Sequence, residues 1–253
     1  MPQSGPGKIR LFTDFTGPEI PVANAVAYGT SAGGCNYYLG DYAVRGDLAD
    51  TDSGVVALGV SNGAARLTGT NEDNKGCALT TDLVFSVPLN GTLIVEARVN
   101  LQALTARNIF VGFCGTVADD IAPPLEDSNS TTHTLTATDL VGLNFNSIYT
   151  GTQLFWHTVY NGGTLAGATA TSTTLTDVAP VAGEYQVLRV EVDTNGTVEY
   201  WIDGAKKATI KNAATVTSTD MLAAVVGCWG TTTTITDMDV DYMLVTANRN
   251  WAV

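Results

Sequence analysis

The sequence predicts an all-β protein in which a single antiparallel β-sandwich follows a flexible N-terminal arm. Short segments of alternating apolar and polar residues recur along the 253 residues, and a period of two is typical of half-buried strands. Turn signals rich in Gly, Asn and Asp separate these segments. Helix is expected as one turn at most, near residues 218–222. A chain of this length can bury a large core in one domain without disulfides or metals.

The clearest element is a hairpin between residues 184 and 210. Its two strands alternate apolar with polar residues, and the apolar ones are Leu188, Val190, Val192, Val198, Tyr200 and Ile202. Directly opposed residues share a face, so only a three-residue loop, Thr194-Asn195-Gly196, keeps these side chains together. Such a loop needs a left-handed last residue, which suits Gly196.

That register also defines the opposite face of the hairpin. It places Arg189 opposite Trp201 and Glu191 opposite Glu199. Asp203-Gly204 then turns the chain into a third strand over residues 206–210.

The remaining elements follow from the same signals. Residues 1–7 form the arm by composition, and residues 8–253 form the single domain. Further strands are predicted at residues 8–15, 38–44, 55–58, 64–67, 76–79, 84–87, 92–99, 108–114, 141–146, 154–160, 225–229 and 239–245. In the last strand Val240, Tyr242 and Leu244 are expected inward. Residues 116–137 lack strand character, and such long loops are usually functional or disordered.

Two stretches carry a resemblance to a known fold. "LRVEVDTNGTVEYWIDG" and "GTLIVEARVNL…NIFVGFCG" resemble the hairpins of concanavalin A-like jelly rolls, the group of laminin-G domains, legume lectins and glucanases. The resemblance implies that the first and last strands lie side by side in one closed domain. This fold hosts lectins, glycosidases, adhesion modules and virion proteins, so it does not by itself select a function.

Charge and cysteine content exclude several classes of partner. The net charge of −13 and the pI near 4.3 argue against binding to nucleic acid or to an anionic membrane. The sequence shows neither a signal peptide nor an apolar run of membrane-spanning length, which predicts folding in a cytoplasm. The scattered Cys35, Cys77, Cys114 and Cys228 are expected to be buried or idle thiols, with a disulfide left open.

The sequence offers one pair of glutamates and two histidines as candidate catalytic residues. Glycoside hydrolysis needs two carboxylates, and the hairpin offers Glu191 opposite Glu199. However, the glucanase motifs Glu-x-Asp-x-Glu and Glu-x-Asp-x-x-Glu are both missing. A solvated strand face, on which Arg189 and lysine side chains offset the like charges, is the favoured interpretation of the pair. The histidines, His133 and His157, lie outside any recognisable triad or nucleophile elbow. The sequence therefore predicts a protein that is not an enzyme.

Two kinds of ligand remain as alternatives. No cofactor is predicted except a structural calcium ion, which related sandwiches often hold. Its candidate ligands are Asp119, Asp120, Glu126 and Asp127, with Asp237, Asp239 and Asp241 as a second set. A glycan could stack on Trp201, Trp229 or Tyr160, although buried aromatic side chains are more common. Both acidic sets could equally be solvated surface.

A second resemblance covers most of the chain. "KIRLFTDFTG", "VEARVNL", "GLNF…FWHTVYNGGT" and "VAPVAGEYQVLRVEVDTNGTVEYWIDG" resemble structural proteins of tailed bacteriophages. The resemblance implies a capsid decoration protein on the virion exterior, assembled in the host cytoplasm as a homotrimer. Its expected partners are the major capsid protein, another virion protein or a host-surface glycan. The predicted interface residues are Lys8, Trp201, Arg249 and Trp251. A lectin-like carbohydrate-binding module and a glycoside hydrolase are the alternatives.

Overall fold

The computed structural model describes residues 7–16, 38–46, 54–57, 63–69, 71–129, 132–148, 154–161, 174–234 and 236–249. Most of the predicted arm, Cys35 and Trp251 lie outside these ranges. Within these ranges the regular structure consists of eighteen strands and one short helix. They are β1 (Lys8–Thr13), β2 (Tyr38–Leu39), β3 (Tyr42–Gly46), β4 (Gly54–Ala57), β5 (Ala65–Thr68), β6 (Gly76–Thr80), α1 (Val87–Asn90), β7 (Leu93–Leu101), β8 (Arg107–Cys114), β9 (Leu125–Asn129), β10 (Thr132–Leu135), β11 (Leu140–Asn146), β12 (His157–Asn161), β13 (Thr174–Leu175), β14 (Tyr185–Val192), β15 (Val198–Ile202), β16 (Ala205–Ile210), β17 (Ala223–Gly230) and β18 (Asp237–Asn248).

Two antiparallel sheets form the sandwich. The first has the order β16-β15-β14-β7-β18-β5-β4, with β1 paired to the second half of β18. The second has the order β13-β12-β11-β8-β17-β6-β3-β2. Strands β1 and β18 pair from Lys8↔Asn248 to Thr13↔Met243, which confirms that the first and last strands lie side by side. The predicted all-β sandwich is therefore correct.

The principal hairpin has the predicted register. Val192 lies opposite Val198, and Leu188 lies opposite Ile202. Gly196 has φ +78°, the left-handed value that the three-residue loop requires. The apolar face of β14 and β15 is fully buried against the second sheet. Burial of this face explains why the register is unique, since a slip by one residue would move every apolar side chain into water.

A second apolar layer covers the outer face of the second sheet. Residues 116–137, predicted as a segment without strand character, contain the hairpin β9–β10, and their described parts fold over this face. Ile121 and Leu125 bury Phe110 and Trp229 there, and the indole of Trp229 donates a hydrogen bond to the Ile121 carbonyl over 2.7 Å. The prediction of a long loop was wrong because the covering residues do not alternate.

Three other local predictions need correction. Residues 84–87 form a single bridge, Phe85↔Leu222, and lead into α1 instead of a strand. The expected helical turn at residues 218–222 is an ordinary turn. Predicted strand 38–44 is divided into β2 and β3 by a turn at Gly40, whose φ is +58°.

A β-bulge in β18 reverses the expected orientation of the last strand. The register shifts between Val240 and Tyr242, where the pairing with β7 is irregular. Val240 is buried as expected, but Met243 and Val245 then point inward. Tyr242 and Leu244 are only half-buried and belong to the outer face. This shift matters for function because it brings Tyr242 to the site described below.

Three of the cysteines, Cys77, Cys114 and Cys228, are completely buried thiols. Burial raises the pKa of Cys114 and of Cys228 to about 12.

None of the described helices is long and apolar enough to cross a membrane.

These thiols predict a loss of stability in alkali. Unfolded Cys114 titrates near pH 8.5, whereas the folded thiol keeps its proton, so the free energy of unfolding falls as pH rises through this window. Between pH 8 and 9.5 we expect Cys114→Ala to remove about 1 kcal/mol of that fall, measured by urea denaturation. An identical pH slope in the variant and the parent protein would show that Cys114 does not contribute.

Candidate functional site

A cavity of about 280 Å³ opens on the outer face of the first sheet. Its lining residues are Glu96, Val187, Arg189, Glu191, Trp201 and Gly204. They come from β7, β14, β15 and the turn after β15. Alternation along each strand explains their position, since the neighbouring Val95, Val190 and Tyr200 are buried in the core.

Strand pairing fixes the order of the side chains across this face. Arg189 lies directly opposite Glu96 on one side and Trp201 on the other. The turn Asp203-Gly204 forms one end of the cavity, and its two residues have φ of +50° and +75°. Asp203 accepts a hydrogen bond from the Val187 backbone N–H over 2.8 Å, and its own N–H donates to the Val187 carbonyl. The turn is therefore anchored to β14, so one wall of the cavity is fixed.

Arg189 joins two carboxylates at the centre of the cavity. Its Nε donates to Glu191 Oε1 over 2.6 Å, and a terminal nitrogen donates to Glu96 Oε2 over 3.2 Å. The Tyr242 hydroxyl donates to Glu96 Oε1 over 2.8 Å. Burial disfavours the cation, but the hydrogen bonds and charges of Glu191 and Glu96 outweigh it and raise the pKa of Arg189. Burial, followed by Glu96, raises the pKa of Tyr242, so its hydroxyl stays a donor.

Trp201 forms the aromatic wall. It is half-buried, and the Lys206 ammonium lies 5.7 Å from its ring centroid. Its buried indole Nε1 has no hydrogen-bond acceptor among the described residues. A buried donor without a partner costs about 1–3 kcal/mol.

The predicted acid pair, Glu191 and Glu199, is opposed as expected but does not act as a pair. Glu191 contacts Arg189, whereas Glu199 contacts Lys206 at 3.1 Å. Each carboxylate is thus neutralised by a different cation. This agrees with the other interpretation of the pair, a strand face on which cations offset the like charges. The carboxylate that shares the cavity with Glu191 is Glu96.

Of the three predicted aromatic platforms, Trp201 alone lines the cavity. Trp229 is fully buried under residues 116–139, and Tyr160 is 8% exposed in the core. Neither presents a ring face to solvent, so both lie in the buried state that the sequence left as the alternative. His157 is likewise a buried strand residue, while the side chain of His133 lies outside the described structure.

The predicted calcium ligands are mostly occupied by cations of the protein itself. Asp119 binds Arg45 at 2.6 Å, and Asp120 binds Lys75. Burial and then Asp73 raise the pKa of Glu126, and the side chain of Asp127 is outside the described part. Within the described ranges no group of three or more His, Cys, Asp or Glu side chains could hold a metal ion.

Two members of the second acidic set, Asp239 and Asp241, are held in the same way. Asp239 is 3% exposed and receives Arg66 Nε over 2.7 Å and Gln102 Nε2 over 2.6 Å. Asp241 binds Arg98 at 2.9 Å. These contacts tie β18 to β5 and β7, and they explain the alternating aspartates as parts of the sheet.

The predicted interface residues are separated from one another. Lys8 donates to the Asn248 side chain at the β1–β18 pair. Arg249 is exposed, and its backbone N–H donates to Gly7 over 3.2 Å. Trp201 belongs to the cavity, and Trp251 lies outside the described residues. The interface stays a prediction.

No protein-family model and no curated protein matches the sequence. Solved structures do match. A protein of unknown function from Shewanella oneidensis MR-1 is 12% identical with a TM-score of 0.59, over 100% of this chain and 92% of that one. A β-1,3-glucanase from Mycobacterium marinum is 14% identical with a TM-score of 0.53, over 96% and 100%. The Bacillus licheniformis β-glucanase is 13% identical with a TM-score of 0.51, over 85% and 99%.

The chain thus has the concanavalin A-like, glucanase-type β-sandwich fold that its hairpin motifs resemble. The comparison corrects one expectation. The prediction that the chain is not an enzyme was wrong, because the similar solved structures are mostly glucanases. Catalytic carboxylates can also come from different strands, so the missing Glu-x-Asp-x-Glu motif does not exclude catalysis. Glycoside hydrolysis is again a candidate activity.

Proposed function

We propose that this chain is a carbohydrate-binding protein and that the cavity around Arg189 and Trp201 is its glycan site. The observation that carries the proposal is the composition of the cavity. Sugars present apolar ring faces and hydroxyl edges, so they are held by an aromatic surface together with fixed donors and acceptors. Trp201 supplies the surface, Arg189 supplies donors, and Glu96 and Glu191 supply acceptors.

The structural neighbours support a β-linked glucan as the first ligand to test. Their printed names include β-1,3-glucanase and β-1,3-1,4-glucanase, and they share the fold over most of this chain. A fold does not fix a ligand, so the support for the proposal comes from the cavity and the neighbours together.

The Trp201→Ala variant tests the glycan site. We expect it to bind β-1,3-glucan at least tenfold more weakly than the parent protein, because the aromatic wall is lost. Affinity electrophoresis and calorimetry measure the change, and circular dichroism checks the fold. The matched control is Tyr38→Ala, which removes a 61% exposed aromatic side chain from the second sheet. If both variants bind like the parent, or if no glycan on an array binds the parent, the proposal fails.

A second candidate function is hydrolysis of the bound glycan. Glu96 and Glu191 line the same cavity, and glycosidases work with two carboxyl groups that flank the bond. Both carboxylates contact Arg189, so one of them would have to leave the guanidinium before it could donate a proton. Release of reducing ends from β-1,3-glucan, abolished in Glu96→Gln and Glu191→Gln, is the result expected of an enzyme. Glucan that is bound but not shortened would restrict the function to binding.

The capsid location, the homotrimer and the major capsid protein as partner stay predictions from the bacteriophage resemblance. Labelling of virions by an antibody against the purified chain tests them directly. They concern where the protein acts, and a glycan site is compatible with that location.

A further inference from the structure

The cavity is the centre of a straight row of residues across six strands. Strand pairing aligns Phe12 on β1, Leu244 on β18, Glu96 on β7, Arg189 on β14, Trp201 on β15 and Lys206 on β16. Each member lies directly opposite the next, and all belong to the outer face of the first sheet. Neighbouring strands are about 4.8 Å apart, so Phe12 and Trp201 are separated by four spacings, or about 19 Å.

An aromatic pair marks the far end of this row. Phe12 is 44% exposed, which is unusual for a phenylalanine in a strand. The ring of Tyr242 lies 6.1 Å from it, and the guanidinium of Arg10 lies 5.7 Å from its centroid. The β18 bulge is what turns Tyr242 to this face.

Hydrogen bonds connect the aromatic end to the cavity. The Tyr242 hydroxyl bonds Glu96, and Glu96 bonds Arg189, which lies next to Trp201. The two aromatic ends are thus joined by polar groups that present both donors and acceptors along the row. Leu244 is the one apolar member of the row between Phe12 and Trp201, and the polar groups of Glu96, Arg189 and Tyr242 lie beside it. A mostly polar floor between two aromatic ends fits an extended polyhydroxylated chain better than a single sugar ring.

The charges along this row are nearly balanced, with Asp203 at the end of the cavity as one additional anion. Four cations and four anions occupy the row and its immediate surroundings: Arg10, Arg98, Arg189 and Lys206, and Glu96, Glu191, Glu199 and Asp241. Most of them form ion pairs with one another, at distances such as 2.9 Å for Arg98 and Asp241. A surface with no excess of positive charge, on a chain of net charge −13, does not attract an acidic polysaccharide.

We propose that the row from Phe12 to Lys206 is one extended binding surface for a linear, uncharged glycan that runs across the strands. Phe12 with Tyr242 forms a second sugar platform, about 19 Å from the Trp201 platform. The inference rests on the proposed glycan function and adds to it the length, shape and charge of the ligand.

A ladder of β-1,3-linked glucose oligomers, from disaccharide to hexasaccharide, tests this surface by calorimetry. The affinity should keep rising until the oligomer reaches both platforms. Phe12→Ala should lower the affinity for the hexasaccharide at least tenfold and leave the disaccharide unchanged, whereas Trp201→Ala should weaken both. Tyr38→Ala serves as the control on the other sheet. A sulfated glucan of the same linkage should bind no better than the uncharged one.

The outcomes separate the two proposals. If Phe12→Ala binds the hexasaccharide like the parent, or if affinity stops rising at the disaccharide, the extended surface is refuted while the cavity stands. If no oligomer binds the parent, the proposed function itself fails. Tighter binding of the sulfated glucan would refute the uncharged ligand.

Discussion

Replacement of Gly142 by Ala is expected to destabilise the sandwich by about 2–3 kcal/mol, because the new methyl group has no room. A Cβ at this position would lie 2.5 Å from the Phe110 ring and 2.9 Å from the Val111 carbonyl oxygen. Gly142 and Gly112 face each other on β11 and β8, and the Phe110 ring lies over both. Each kcal/mol corresponds to roughly 2–4 °C in Tm for a chain of this size, so thermal unfolding measures the effect.

A double-mutant cycle with Phe110→Leu identifies the cause. Leucine is smaller than phenylalanine, so Gly142→Ala should cost less in the Phe110→Leu background, with a coupling of about 1 kcal/mol or more. Equal costs in the two backgrounds would mean that the ring is not the obstacle. The cycle also tests the second apolar layer, because Phe110 is part of the cluster that residues 116–139 cover.

The principal hairpin was predictable because its information is local. Alternation in β14 and β15, together with Gly196, allows one register, and the structure has that register. The same register determines which residues oppose each other on the charged face. The pairing of Arg189 with Trp201 could therefore be predicted without any tertiary contact. Within a hairpin, chain connectivity limits the alternatives to a few loop lengths.

Glu96 and Tyr242 were missed because their roles depend on distant pairings. The alternation in β7 does place Glu96 on an outer face, but nothing local shows that β7 lies beside β14, about 90 residues later in the chain. Tyr242 was assigned inward since the bulge in β18 interrupts the alternation. A site on a sheet combines residues from strands that are far apart in sequence. Local patterns can show that each residue lies on an outer face, but they do not show which strands are neighbours.

Local patterns predict the burial of the second sheet's outer face only in part. The continuous apolar run at residues 108–114, which includes Phe110, is typical of a strand covered on both faces, and β8 is buried throughout. Trp229 and Leu140 also lie on this outer face, where no local pattern indicates a cover. They are covered by residues 116–139, whose acidic and Ser/Thr-rich composition is typical of a surface loop. Five apolar residues of this segment pack in the cluster and anchor it: Val117, Ile121, Leu125, Leu135 and Ala137. The average composition of a segment does not show a few apolar residues that attach it to the sheet.

The Gly196→Val variant is expected to lose about 3 kcal/mol or more, from two separate causes. The position has φ +78°, and a β-branched residue there costs about 1–3 kcal/mol in backbone strain. In addition, a Cβ would lie 2.6 Å from the Ala214 carbonyl oxygen, in the segment that packs over the loop. Overpacking of this kind typically costs a further 1–3 kcal/mol. Urea denaturation gives the total.

Gly183→Val separates the two causes. Gly183 has nearly the same φ, +80°, but a Cβ there has no neighbour within 4 Å. This control should therefore show the backbone strain alone, and the excess loss in Gly196→Val reports the contact with Ala214. Equal losses would mean that residues 213–214, whose N–H groups both donate to the Gly196 carbonyl, can move away from the loop. An unchanged Tm in Gly196→Val would contradict the three-residue loop itself, and with it the register that places Arg189 beside Trp201.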